Sequence, residues 1–342
     1  MTVKKKLRTI LQYCFFLGLG IFLVWWSVKD LKSNDKSQIK IALQNARYWL
    51  IIPVFAILFF SHYIRALRWK LLIEPLGYTP RTTNTVFAVF IGYLANQAVP
   101  RLGEVLKCTI LTRYEKIPAD KLIGTIILER VIDALTLLLV FGGTLIMRPD
   151  LYSNLIDTIF YSSDPGEKQH KHIPSYVIIA LLVIVIIIAI AAWMITKKKT
   201  FADVKLLLKR IWRSIWQGIT AIRHLKKRKK FILLTLGLWI AYLSGGYLGF
   251  MAFKETTIYG IPEAFGVLSA GSIGMIITPG GIGAYAYLIQ KTMEVYGLNN
   301  GVALAFGWIL WLAQTTVILL GGLISFVAIP YYNRKKKLVE TF

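Results

Sequence analysis

Apolar positions in this chain fall into long blocks and not into the stripes of a soluble helix or strand. Ile10–Val28, Tyr48–Ile64, Leu122–Met147, Ser175–Thr196, Phe231–Phe253 and Gly301–Ile329 are each dominated by apolar residues. A helix of about 20 residues spans the roughly 30 Å of hydrocarbon in a bilayer. Each block therefore predicts a transmembrane helix. Between the first two, the polar loop Lys29–Arg47 includes Ile39–Ala46, whose pattern predicts a short surface helix. Phe201–Lys230 carries Leu206, Leu207, Ile211, Ile215, Ile219 and Ile222 at helical spacing among basic residues. That pattern predicts an amphipathic helix on the cytoplasmic face.

Two further blocks are interrupted. Asn84–Arg113 is broken at Pro100-Arg101-Leu102-Gly103-Glu104, and Glu263–Tyr296 at Thr278-Pro279-Gly280-Gly281-Ile282-Gly283. Each arm has about 15 residues, or about 22 Å of helix, short of the hydrocarbon thickness. Irregular backbone at membrane depth is tolerated only inside protein or beside water. Each block therefore predicts a re-entrant hairpin that enters and leaves on one side.

Charge sets the orientation. The chain has 41 Lys+Arg against 17 Asp+Glu, a formal net charge of +24. Its basic runs (Lys4–Lys6 with Arg8, Lys197–Lys199, Lys226–Lys230, Arg334–Lys337) flank apolar blocks, and no nucleic-acid-binding signature accompanies them. Cytoplasmic loops favour Lys and Arg. With both hairpins re-entrant and both termini inside, 30 Lys and Arg fall inside, 10 outside, and Arg130 lies in a span. If the first interrupted block crossed fully, the 13 basic residues from Lys197 to Lys230 would move outside. The expected fold is an all-α polytopic membrane protein forming a single transmembrane domain over 1–342. It has about six full spans, two re-entrant hairpins and a basic tail at 331–342. Halves at about 1–147 and 174–330 run in opposite orientation, with Pro100 and Pro279 at corresponding places. Paired Pro/Gly-interrupted segments in inverted halves point to a transporter's midplane site.

Composition agrees: 56% of residues are hydrophobic and 17% charged, and mean hydropathy is +0.58. A disordered chain and an ordinary soluble enzyme are excluded. There is no HExxH, GxSxG or Walker loop, and no room for a soluble catalytic domain. Cys14 and Cys108 make neither a disulfide framework nor a metal spacing, and His170-Lys171-His172 lacks a third ligand. No cofactor or metal is expected, and the chain does not read as an enzyme.

Ionisable residues inside a membrane need a partner or a cavity. Arg101 and Glu104 flank the first hairpin tip, with Lys107 one turn beyond. Glu129 and Asp133 share a helix face next to Arg130 and need cations between them, for which Arg65 and Arg68 are candidates. A structural salt-bridge network is the competing explanation for the same residues. Arg101, beside a half-helix end with the Gly103 backbone open, suits a phosphate. Gly280, Gly281 and Gly283 offer backbone N–H groups to an anion, or simply close packing.

At these residues the chain resembles the lysylphosphatidylglycerol synthase transmembrane (flippase-like) family. The resemblance is carried by Arg65-Ala66-Leu67-Arg68-Trp69, by Asn96 through Pro100-Arg101-Leu102-Gly103-Glu104, by Glu129-Arg130-Val131-Ile132-Asp133, and by Thr278-Pro279-Gly280-Gly281-Ile282-Gly283. It implies a multi-pass protein of the bacterial inner (plasma) membrane that moves a phospholipid or polyprenyl-linked lipid between leaflets. The implied binding residues are Arg65, Arg68, Asn96, Arg101, Glu104, Glu129, Arg130 and Asp133. Pro100, Gly103, Pro279, Gly280, Gly281 and Gly283 would form the hairpin tips. Lys107 stands where an Arg is often found, and Ala286 near where many members carry a Glu. The soluble aminoacyl-transferring domain of full synthases is absent, so synthesis of lysylphosphatidylglycerol is not expected. Two other readings stay open. One is a scaffold that docks envelope-synthesis enzymes through Phe201–Lys230; the other is an ion-coupled small-solute carrier.

Overall fold

The computed structural model describes residues 18–29, 31, 33–160 and 225–339. The Ser175–Thr196 span, His170 and His172, Cys14, the start of the first block and most of the 201–230 amphipathic stretch lie outside the described residues. Every regular element among the described residues is helical. In chain order they are α1 (Gly18–Lys29), α2 (Ser33–Gln44), α3 (Ile51–Ile73), α4 (Thr82–Ala98), α5 (Leu102–Glu115) and α6 (Ala119–Met147). They continue with α7 (Leu151–Phe160), α8 (Arg228–Ala252), α9 (Ile261–Ile277), α10 (Ala284–Val295) and α11 (Asn300–Val339). Among the described residues, three stretches are long and apolar enough to cross a membrane: Tyr48–Leu76, Arg228–Ala252 and Asn300–Arg334.

The second apolar block extends further than its pattern suggests. The helix does not stop at Ile64; α3 runs on to Ile73, and a 3-10 turn carries it to Leu76. Arg65 and Arg68 therefore lie within the helix and are buried. The last block is also longer: α11 continues through Pro330 into the basic residues beyond it.

The two interrupted blocks break for the same chemical reason. The residue before a proline is pushed out of the helical region by the ring's Cδ. Val99 (φ −138°, ψ 112°) precedes Pro100, and Thr278 (φ −123°, ψ 151°) precedes Pro279. In each case the residue after the proline is left-handed, Arg101 at φ 66° and Gly280 at φ 62°. In each case the following N–H closes the turn, Leu102 onto the Val99 carbonyl at 3.2 Å and Gly281 onto the Thr278 carbonyl at 2.9 Å. This is the type II pattern, with proline at the second position and a positive φ at the third.

The arms of each break pack face to face. A Cβ on Gly103 would run into the Gly92 carbonyl and the Asn96 side chain, and one on Gly274 would lie 2.5 Å from the Tyr285 Cα. The arms are 17 and 14 residues in α4 and α5, and 17 and 12 in α9 and α10.

Two large apolar cores form. Trp69, Ile73, Val89, Leu111, Leu122 and Ile126 pack together in the first. Phe250, Phe253, Ala264, Ile289, Val302 and Phe306 pack in the second, where the Phe250 and Phe306 rings stack at 5.4 Å. α11 packs on α4, with Gly321 against Phe90 and Gly322 against Leu94. An asparagine clasp holds the other end of the first hairpin. Asn84 Nδ2 donates to Glu115 Oε1 at 2.5 Å and to Asn333 Oδ1 at 3.0 Å, and Asn333 Nδ2 returns a bond to Asn84 Oδ1 at 2.9 Å.

Candidate functional site

α3, α5, α6 and α8 converge on a buried cluster of charge. Arg65 Nη1 lies 2.7 Å from Asp133 Oδ2 and 3.2 Å from Glu129 Oε1. Arg68 Nη2 pairs closely with Asp133 Oδ1 and sits 3.6 Å from Glu129 Oε1. Lys107 Nζ reaches Glu129 Oε2 at 3.3 Å. Helical geometry explains the meeting: residues three and four apart share a face, so Arg65 and Arg68 project from α3 toward Glu129 and Asp133, which project from α6. Lys107 enters from α5, its stem lying against Gly92, where a Cβ would come within 2.6 Å of the Lys107 Cγ.

The surroundings are aromatic. Lys107 Nζ lies 4.6 Å from the centre of the Trp69 ring, Arg65 Cζ 5.5 Å from that of Tyr93, and Arg68 Cζ 5.8 Å from that of Phe231. Such faces stabilise a desolvated cation. Trp69 is fixed by donating its indole N–H to Thr125 Oγ1 at 2.9 Å. α8 contributes Tyr242, whose hydroxyl accepts from Arg65 Nη2 at 2.8 Å.

Three cations face two carboxylates in this cluster, which leaves one positive charge in excess. The donors are also in excess. Arg68 is fully buried, yet its Nε and Nη1 have no acceptor, and neither has Arg65 Nε. A buried guanidinium left partly unmatched is costly, and it marks where an anionic acceptor fits.

The other candidate residues are placed as follows. Arg101 is exposed at the first tip, immediately before α5. Glu104 is half-buried, and its Oε2 has no partner. Asn96 Oδ1 accepts the Gly103 N–H at 2.8 Å, so that N–H is not open to a ligand; Gly103 serves the close packing of α4 on α5. Arg130 is exposed and stands outside the ion-pair set. Pro100 and Pro279 set the turns. Gly280, Gly281 and Gly283 all have positive φ; the Gly281 N–H is spent in the turn, and Gly283 packs on the Gly20 carbonyl of α1. Ala286 is buried in α10 against Gly307 of α11.

Several participants were not among the candidates. The tips touch each other, since a Cβ on Gly280 would collide with Gln97 Oε1. Trp311 of α11 donates to the Gly280 carbonyl at 2.8 Å. Lys107 showed itself in the sequence only as a neighbour of the first tip. Tyr242 gave no signal at all, because a tyrosine in an apolar span is unremarkable until a partner in another helix is known.

The model of the family described as Lysylphosphatidylglycerol synthase TM region matches residues 13–322. The chain belongs to this family. It is also similar to the UPF0104 membrane protein MJ1595 of Methanocaldococcus jannaschii, at 24% identity over 364 residues covering 98% of this chain and 99% of that protein. No solved structure matches the chain. The match lies with the membrane region of the family.

Proposed function

We propose that this family member is a lipid translocator that moves an anionic or lipid-linked headgroup across the plasma membrane, with both termini in the cytoplasm. The observation that carries the reading is the buried surplus of positive charge around Arg65, Arg68 and Lys107, with unmatched guanidinium donors, inside a bundle of apolar helices. A phosphate supplies the missing charge and the missing acceptors together. Arg101, exposed at the first tip, is the outer contact for that phosphate. Glu104, Glu129 and Asp133 balance the cations or meet a cationic part of the headgroup.

The repeated Pro-centred turn, with its left-handed third residue, supports two inverted halves whose hairpins re-enter from opposite sides. Contact between Gln97 and Gly280 supports a closed passage between the tips. Rocking one half against the other would open it alternately to each leaflet. Tyr242 on Arg65 links the halves at the charged cluster.

Mass spectrometry of lipids retained by the detergent-purified protein, against the bulk membrane, tests the reading. Enrichment of one anionic or polyprenyl-phosphate lipid, lost in Arg101→Ala, is expected. Retention that mirrors the bulk membrane, or a folded Arg101→Ala protein that moves lipid normally, overturns it.

A further inference from the structure

We propose that Asp133 is a displaceable placeholder: in the resting site it occupies the guanidinium positions on Arg65 and Arg68 that a single anionic phosphate group takes on binding. The proposal rests on the translocator reading and concerns how the same site is kept shut between substrates.

The two carboxylates of the cluster are held differently. Glu129 has no exposure and touches all three cations, Lys107, Arg65 and Arg68. The Asp133 side chain keeps 14% exposure and touches only the two guanidinium groups, one nitrogen of each. Asp133 is thus the rim member, with a route outward; Glu129 is the anchor.

The guanidinium groups are bound in an unsaturated way. Arginine holds oxyanions best through two parallel N–H bonds. Here Arg68 spends Nη2 on Asp133, while Nε and Nη1, at 0% residue exposure, have no acceptor. A phosphate diester has two non-bridging oxygens and one negative charge, so it matches the fork that a single Asp133 oxygen leaves half used. Its single charge replaces the one that Asp133 withdraws. Exchange of Asp133 for phosphate therefore leaves the charge of the cluster unchanged and satisfies more donors, while Asp133 turns toward its exposed side. Arg65 stays aimed through the exchange because the Tyr242 hydroxyl holds Nη2 at 2.8 Å from a different helix.

The test uses the full chain in phosphatidylcholine nanodiscs and a membrane-permeant carbodiimide, which modifies carboxylates released from ion pairs. Peptide mass spectrometry reads labelling of Asp133 and Glu129 separately. Added phosphatidylglycerol is expected to raise labelling of Asp133 severalfold and leave Glu129 unchanged. If phosphatidylglycerol is retained and Asp133 labelling stays flat or falls, the placeholder is overturned while the translocator reading stands. If inorganic phosphate raises the labelling and no lipid is retained, the placeholder stands and the lipid reading fails. Asp133→Asn, which removes the competitor, is expected to bind phosphatidylglycerol about tenfold more tightly, with Asp133→Glu returning to the wild-type value. A folded Asp133→Asn protein that binds no more tightly refutes the proposal. Should that variant fail to fold, the wild-type labelling decides alone.

Discussion

Replacing Arg101 by glycine is expected to make the protein more stable while weakening its hold on anionic lipid. Arg101 occupies the third position of a type II turn at φ 66° and ψ −1°, a place suited to glycine. The chain itself supplies the comparison, for Gly280 fills the same position after Pro279 at φ 62° and ψ 12°. A left-handed backbone costs an L-residue about 1–2 kcal/mol. Glycine's extra freedom in the unfolded chain returns about 0.5–1 kcal/mol of that. The difference is a gain of about 0.5–1 kcal/mol for Arg101→Gly. The exposed side chain gives up no buried contact. Reversible unfolding of the purified protein by denaturing detergent measures the gain, and mass spectrometry of retained lipid measures the loss. A variant destabilised by more than about 1 kcal/mol would mean that the guanidinium holds the fold together. A variant more stable than wild type with unaltered lipid retention would remove Arg101 from the binding set.

The equivalent turn predicts the opposite sign. Gly280→Ala adds a left-handed cost, while the Gln97 Oε1 that its Cβ meets ends a flexible side chain able to turn aside, so a loss of about 1–2 kcal/mol in the same unfolding assay is expected. Unchanged stability would mean that the turn does not hold position 280 in the left-handed region. Glu129→Gln removes the anchor shared by Lys107, Arg65 and Arg68 and is expected to cost about 3–5 kcal/mol, as breaking buried ion pairs does. A loss below about 1 kcal/mol would place those cations in contact with water.

Much of the candidate site was legible along the chain because membrane burial makes charge conspicuous. Glu129 and Asp133 stood out in an apolar block, and their four-residue spacing required cations; Arg65 and Arg68 supplied them. The depth of those arginines was not legible. Basic residues at the end of an apolar run read as an interfacial flank, and only packing against α6 and α8 continued the helix past them. The Gly103 N–H read as open because nothing local shows that Asn96, seven residues earlier, turns back onto it.

The sequence by itself determined the membrane class, the helical blocks that fall among the described residues, and the two proline breaks. Those follow from local causes: the hydrocarbon thickness sets block length, and the proline ring disfavours helix at the residue before it. Tertiary structure alone decided which charges meet, in what number and at what depth. Arg65 bonds Tyr242 across 177 positions of the chain, and Gln97 meets Gly280 from a different helical hairpin. Such pairings depend on how helices rotate and cross as their apolar faces are buried, and no window of neighbouring residues contains that information.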